Sequence, residues 1–148
     1  MDLVISGLPV GFGEPWFEGI EPALARALMA IPAARAVEFG RGVNAGLMRG
    51  SKHNDKWGED MSLDEGADGA LGGMASGAPI HVRVTFKPPS GISKPQETFN
   101  QVTGMMEELA IKGRHDPVIA PRARPVVEAV ARLVIADLGI QGLSLIHI

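Results

Sequence analysis

Cysteine and tyrosine are both absent from this 148-residue chain, and aromatic residues make up only 5% of it. Without cysteine there can be no disulfide, no thiolate metal site and no thiol nucleophile, and a reducing cytoplasm is the natural setting. Scarce aromatics leave few large anchors for a core. A basic excess is missing too: 14 Lys and Arg face 17 Asp and Glu, for a net charge of −3, which argues against nucleic acid as a partner. No apolar run approaches the roughly 20 residues of a membrane span, and Met1-Asp2-Leu3 lacks the basic start of a signal peptide. These absences describe a soluble, untargeted chain of one-domain length.

Glycine (19) and proline (11) are plentiful, so turns and close backbone approaches should carry much of the function. Leu3 to Leu8 is a short apolar run that reads as a strand. Glu21-Pro22 reads as a helix start with Pro in its first position, Leu24, Leu28 and Ile31 form the apolar face, and Pro32 ends it. Ala36 to Phe39 reads as a second strand, whose direction relative to the first stays open. From Gly40 to Gly77 the glycine-rich, charge-alternating sequence predicts a long loop that is functional or disordered. Pro79 to Phe86 sets Ile80, Val82, Val84 and Phe86 against His81, Arg83 and Thr85, the period-2 signature of a strand with one buried face. Glu107 to Lys112 reads as another strand.

The chain closes on an apolar helix from Val126 to Leu138, preceded by a Pro-punctuated lead-in from Val118 to Pro125. Val127, Val130, Val134 and Leu138 share one face, Glu128 and Arg132 can pair at i,i+4, and Gly139 supplies a stop. Its apolar residues spread around the helix, which predicts burial between layers or at a subunit interface. Met29, Met74, Met105 and Met106 read as core filling. His53 and His81 lie on separate elements without further ligands at coordination spacing, so no metal is expected. The pattern as a whole is α+β, with strands and helices in layers.

One turn stands out for chemistry. Lys112-Gly113-Arg114-His115-Asp116-Pro117 places cations, an imidazole and a carboxylate just ahead of a helix, where unpaired backbone N–H groups favour anions. Taken alone, the more ordinary reading is a structural turn in which Arg and Asp form a surface pair.

Four stretches, in order, resemble chorismate synthase, the last enzyme of the common shikimate pathway. Gly11-Phe12-Gly13-Glu14-Pro15 with Ile31-Pro32-Ala33 is similar to the family's "GLGEP … SIPA" segment. Met48-Arg49-Gly50-Ser51-Lys52-His53-Asn54-Asp55 resembles its "RGSEHND" loop. Leu71-Gly72-Gly73-Met74 with Phe86-Lys87-Pro88 resembles its "GGILGG … FKPT" region. Lys112 to Pro117, with Pro121-Arg122-Ala123 and Pro125 to Ala129, resembles its C-terminal signature. The likeness runs from about Leu3 to Ile140 and covers the C-terminal part of the family's enzyme. The family's catalytic histidines and Ser/Arg-rich flavin segment have no counterpart here. Residues 1–142 are therefore expected to be the C-terminal part of such a domain. Leu143 to Ile148 reads, as codons, like the translation of a sequencing adapter and is expected to be a non-native tail.

The resemblance implies a β-α-β sandwich fold, a cytoplasmic homotetramer, reduced FMN as cofactor and 5-enolpyruvylshikimate 3-phosphate as substrate. The reaction it implies is an anti-1,4-elimination to chorismate and phosphate. By motif position, Arg114 resembles the substrate- and flavin-side arginine, Asp116 the carboxylate beside the flavin ring, and Lys87 the lysine that contacts FMN. Ala67 falls in the flavin-lining Asn-His-Ala-Gly-Gly segment. Here that segment reads Glu65-Gly66-Ala67-Asp68-Gly69, which sets two carboxylates near an anionic cofactor. Gly91 stands where a hydroxyl residue is usual, and neighbouring Ser90 is the candidate to replace it. The competing reading is a non-catalytic module that binds flavin or anions weakly or only oligomerises. Strands whose partners lie in the absent part predict exposed edges and apolar surface.

Overall fold

The computed structural model describes residues 1–59 and 68–145. The first apolar run forms β1 (Asp2–Ile5), and α1 (Ile20–Met29) follows with Gly19 at its N-cap. Helix α1 starts two residues ahead of the expected position, so Pro22 is its third residue. The missing N–H still costs nothing there, because first-turn donors have no intrahelical acceptor. Ile20, Leu24 and Leu28 are fully buried and Ile31 nearly so, as the spacing of the apolar residues requires.

Strand β2 (Ala34–Phe39) comes next. The described residues of the predicted long loop hold two 3-10 turns, Gly42–Leu47 and Gly50–Lys52, and a hairpin of β3 (Ala70–Leu71) and β4 (Met74–Ala75). Strand β5 (Ile80–Phe86) shows the expected alternation, with Ile80, Val82 and Val84 buried and His81, Arg83 and Thr85 exposed. Each such apolar side chain contributes about 1.5–3 kcal/mol on burial.

The main sheet has the order β1-β5-β2, with β5 antiparallel to both neighbours. The strands on either side of α1 are therefore parallel to each other but separated by β5, a split β-α-β unit. Val82 faces Leu3 on one side and Phe39 on the other. Helix α1 and the last helix, α2 (Ala120–Leu145), pack their apolar faces with this sheet into a single core.

Two expectations about α2 are corrected. It begins at Ala120, so the Pro-punctuated segment lies largely inside the helix, and Pro125 sits in its sixth position. Proline there removes one hydrogen bond, which the rest of the helix outweighs. Gly139 does not end the helix: a glycine stop requires the left-handed conformation, and Gly139 instead lies against the Phe12 ring, where an added Cβ would stand 3.5 Å from Cε2. Val127, Ala131 and Leu138 are buried and Val130 and Val134 pack beside them, but Val126, Leu133 and Ile140 are exposed. Only one face of α2 is covered among the described residues. The Glu128–Arg132 pair forms as predicted, at 2.5 Å.

The sequence reading missed a strand. β6 (Gln96–Asn100) and β7 (Met105–Leu109) make a separate hairpin, so the expected strand at Glu107 to Lys112 starts and ends earlier. Met105 and Met106 lie on it and are exposed, as are Met29 and Met74, which corrects their assignment to the core. Glu107 accepts hydrogen bonds from Asn100 and Thr103 within this hairpin, and the first of these leads in holding its carboxyl below the usual range. Among the described residues no helix is long and apolar enough to cross a membrane.

Candidate functional site

The end of β5 and the start of α2 meet. Proline cannot donate to a ladder, and Pro88-Pro89 ends the strand just beyond Lys87. The Lys87 N–H makes the closing bond to the Ala33 carbonyl at 2.9 Å. Ala33 holds a left-handed φ of 69° to present that carbonyl. Phe86, Lys87 and Pro88 then line a cleft of about 160 Å³ together with Pro117, Val118, Ile119 and Ala120. The turn after Lys87 also touches the signature turn: a Cβ at Gly91 would stand 3.5 Å from His115 Nδ1. His115 Nε2 lies 3.3 Å from the Ile111 carbonyl oxygen.

Asp116 is not paired with Arg114. Its Oδ2 accepts from Arg122 Nη1 at 2.6 Å, and Arg122 is fixed on the first turn of α2 by its N–H bond to the Ile119 carbonyl. The Arg122 contribution was not apparent from the sequence. The signal available was its six-residue offset from Asp116, which becomes a contact once the helix is known to start at Ala120. Arg114 is exposed, and no carboxylate among the described residues lies within ion-pair distance of it. Lys87 and Ser90 are exposed as well. The turn after β5, which carries Lys87 and Ser90, thus meets the turn that carries Arg114, His115 and Asp116.

The other flavin-side segment is elsewhere. Ala67 and Glu65 lie outside the described residues. The neighbouring Asp68 precedes Gly69, whose added Cβ would stand 2.5 Å from the Pro79 carbonyl oxygen, at the start of β5. Lys87 follows the other end of that seven-residue strand, roughly 20 Å away at the usual rise per residue. Asp68 does not point into the Lys87 cleft. Its Oδ1 accepts from the Arg41 N–H at 3.3 Å, and its Oδ2 lies 3.5 Å from His53 Nε2. Among the described residues that imidazole nitrogen is buried without a hydrogen-bond partner.

Burial, and secondarily the Asp68 charge, raises the Glu21 carboxyl above its ordinary value. The folded chain therefore holds this proton more tightly than the unfolded chain. The stability that the group contributes falls as pH rises through the carboxylate range towards its raised folded value. Glu21→Gln is expected to stabilise the fold near neutral pH and to leave it unchanged below about pH 4. Urea denaturation at the two pH values would measure this, and equal effects at both would contradict it.

Among the described residues no group of three or more His, Asp or Glu side chains is placed to hold a metal ion. A larger groove, about 600 Å³, runs between β1 and α2 and is lined by Leu3, Ile5, Val127 and Ile135 with Arg124 and Arg132 at its margin. Lys87, Ser90, Arg114 and Asp116 do not line it.

The fold is an α+β scaffold in which the Lys87 turn meets the turn that leads into α2. A family model described as chorismate synthase matches residues 1–140. A chorismate synthase of Methanosarcina mazei is 45% identical over 141 residues, covering 93% of this chain and 39% of the relative. One from Aeropyrum pernix is 46% identical over 142 residues, covering 93% and 37%. A solved structure, the crystal structure of chorismate synthase, superposes with a TM-score of 0.71 at 28% identity, covering 96% of this chain and 37% of that one. The chain belongs to the chorismate synthase family. It spans under two fifths of the length of the curated relatives named above.

Proposed function

We propose that this chain forms the C-terminal part of a chorismate synthase and supplies one wall of its active site. The observation that carries the reading is the meeting of the Lys87 turn with the Arg114-His115-Asp116 turn at the entrance to α2. Family membership over residues 1–140 supports it.

The substrate, 5-enolpyruvylshikimate 3-phosphate, carries two carboxylates and a phosphate, so its site must supply several cations and exclude water. In the elimination a ring C–H bond and the allylic C–O bond to phosphate break, a C=C bond forms, and phosphate leaves with the electron pair of the C–O bond. The donor set fits an anionic cofactor and substrate. Lys87 and Arg114 offer charge, Ser90 a hydroxyl, and Asp116 a carboxylate able to hold or move a proton. Reduced FMN, when bound, supplies an electron-rich surface that eases phosphate departure without net redox change. Arg114 is assigned to substrate and flavin, Lys87 and Ser90 to flavin, and Asp116 to proton handling. The lyase activity belongs to the longer protein, a cytoplasmic homotetramer.

Anaerobic titration with reduced FMN tests the assignment. Lys87→Ala and Arg114→Ala are each expected to weaken binding by roughly tenfold, the effect of one charge-assisted hydrogen bond. Unchanged affinity in both variants would refute the site. Phosphate release from the substrate is expected only from protein that carries the remaining length of the family enzyme.

A further inference from the structure

We infer that Arg122 is a positioning residue of this site, which takes the Asp116 carboxylate and thereby leaves Arg114 open to an anionic ligand. The inference rests on the flavin and substrate reading above but adds a residue and a role to it. Two guanidiniums are candidates for one carboxylate. Arg114 is two residues away on the same turn. Arg122 comes from the first turn of α2, where its backbone is already fixed by the bond from its N–H to the Ile119 carbonyl at 3.0 Å. Arg122 holds the carboxylate, with Nη1 donating to Oδ2 at 2.6 Å, a length typical of a charge-assisted bond.

The two side chains are 70% and 36% exposed. An ion pair that open to solvent contributes little to stability, so holding the fold together is not its main effect. Its main effect is on charge. With Asp116 engaged, Arg114 has no carboxylate within ion-pair distance among the described residues, and its planar fork of donors is available for phosphate or carboxylate. Without Arg122, the nearest cation to Asp116 along the chain is Arg114. The free carboxylate would then both capture Arg114 and repel an incoming anion.

A double-mutant cycle with reduced FMN as the probe decides the matter. Arg122→Gln is expected to weaken binding by roughly tenfold. Arg122→Lys should recover part of that loss, because the charge returns without the fork. The combination of Arg122→Gln with Asp116→Asn should recover most of it, since no carboxylate is left to capture Arg114. Two results would overturn the proposal: Arg122→Gln binding as well as the parent, or the double variant remaining as weak as Arg122→Gln, which would mean that Arg122 touches the ligand itself.

A second measurement needs no ligand. Modification of arginine by phenylglyoxal, read at Arg114 by peptide mass spectrometry, should slow in Arg122→Gln and return to the parent rate in the double variant. Equal rates in all three proteins would overturn the inference. If the parent chain does not bind flavin, the flavin assignment fails by itself, and the Arg114 reactivity still decides the role of Arg122.

Discussion

Replacing Val84 by Asp is expected to leave the chain unfolded at 25 °C. Val84 is fully buried on the central strand, packed within the cluster that includes Ile20, Leu24 and Leu28. No cation is among the buried residues of that cluster. A carboxylate placed there loses its hydration without a partner, and breaking or omitting compensation for a buried charge costs about 3–5 kcal/mol or more. Domains of this size are stable by only about 5–15 kcal/mol. Far-ultraviolet circular dichroism and urea titration should show loss of the cooperative transition. Ile80→Val, which removes one methylene from the same face, should cost only about 0.5–1.5 kcal/mol. A cooperative transition in Val84→Asp close to that of the parent would show that this face of β5 is not the core.

Gly73→Ala is expected to be strongly damaging for the addition of a single methyl group. Gly73 holds φ at +97°, and a Cβ there would stand 2.6 Å from the Glu14 carbonyl oxygen, 3.0 Å from Gly19 Cα and 3.2 Å from the Trp16 nitrogen. All three obstacles are backbone, so a side-chain rotation cannot relieve them. The Gly73 carbonyl also accepts the Ile20 N–H at 2.8 Å, which ties the β3–β4 turn to the first residue of α1. Moving Gly73 therefore moves the helix start. A cost of about 2–4 kcal/mol follows from the strained conformation and the displaced contact together. Gly50→Ala is the comparison: nothing lies within 4 Å of its added Cβ and its φ is ordinary, so its effect should stay within about 0.5 kcal/mol. Equal midpoints in urea for the two variants would contradict this account.

These two positions also mark what could be read before any coordinates. Val84 lies in a strict alternation, and alternation reports a strand with one buried face directly; α1 announced itself through Leu24, Leu28 and Ile31 in the same way. Gly73 was visible only as part of a glycine pair, because which backbone approaches it depends on how distant segments pack. The limits of α2 were misread for a local reason. Pro121 and Pro125 suggested an entrance and Gly139 an exit, yet Pro121 falls in the first turn, where proline is harmless, Pro125 removes one hydrogen bond that a 26-residue helix outweighs, and glycine ends a helix only when it turns left-handed. β6 escaped notice because its strand, Gln96 to Asn100, buries almost nothing and so carries no apolar period. At the site, motif likeness pointed to Lys87, Arg114 and Asp116, and the structure brings the turns that carry them together. Motif likeness gave no sign of the Arg122 contact, nor that Asp68 is engaged with Arg41 and His53 at the far end of β5, because pairings between side chains depend on packing rather than on sequence order.

The placement of β5 between β1 and β2 has a consequence for synthesis on the ribosome. Both outer strands leave the exit tunnel before the strand that joins them. At translation speeds of about 5–20 residues per second, roughly 2–8 seconds separate the appearance of Phe39 from that of Ile80. Throughout that interval β1 and β2 lack β5, the strand that joins them, and the apolar side of α1 lacks the central strand it packs against. This is a window in which a holding chaperone can act, and it closes when residues 80–86 arrive. Slowing translation within residues 40–79 should lengthen the window and lower the soluble yield, whereas the same slowing after Phe86 should have little effect.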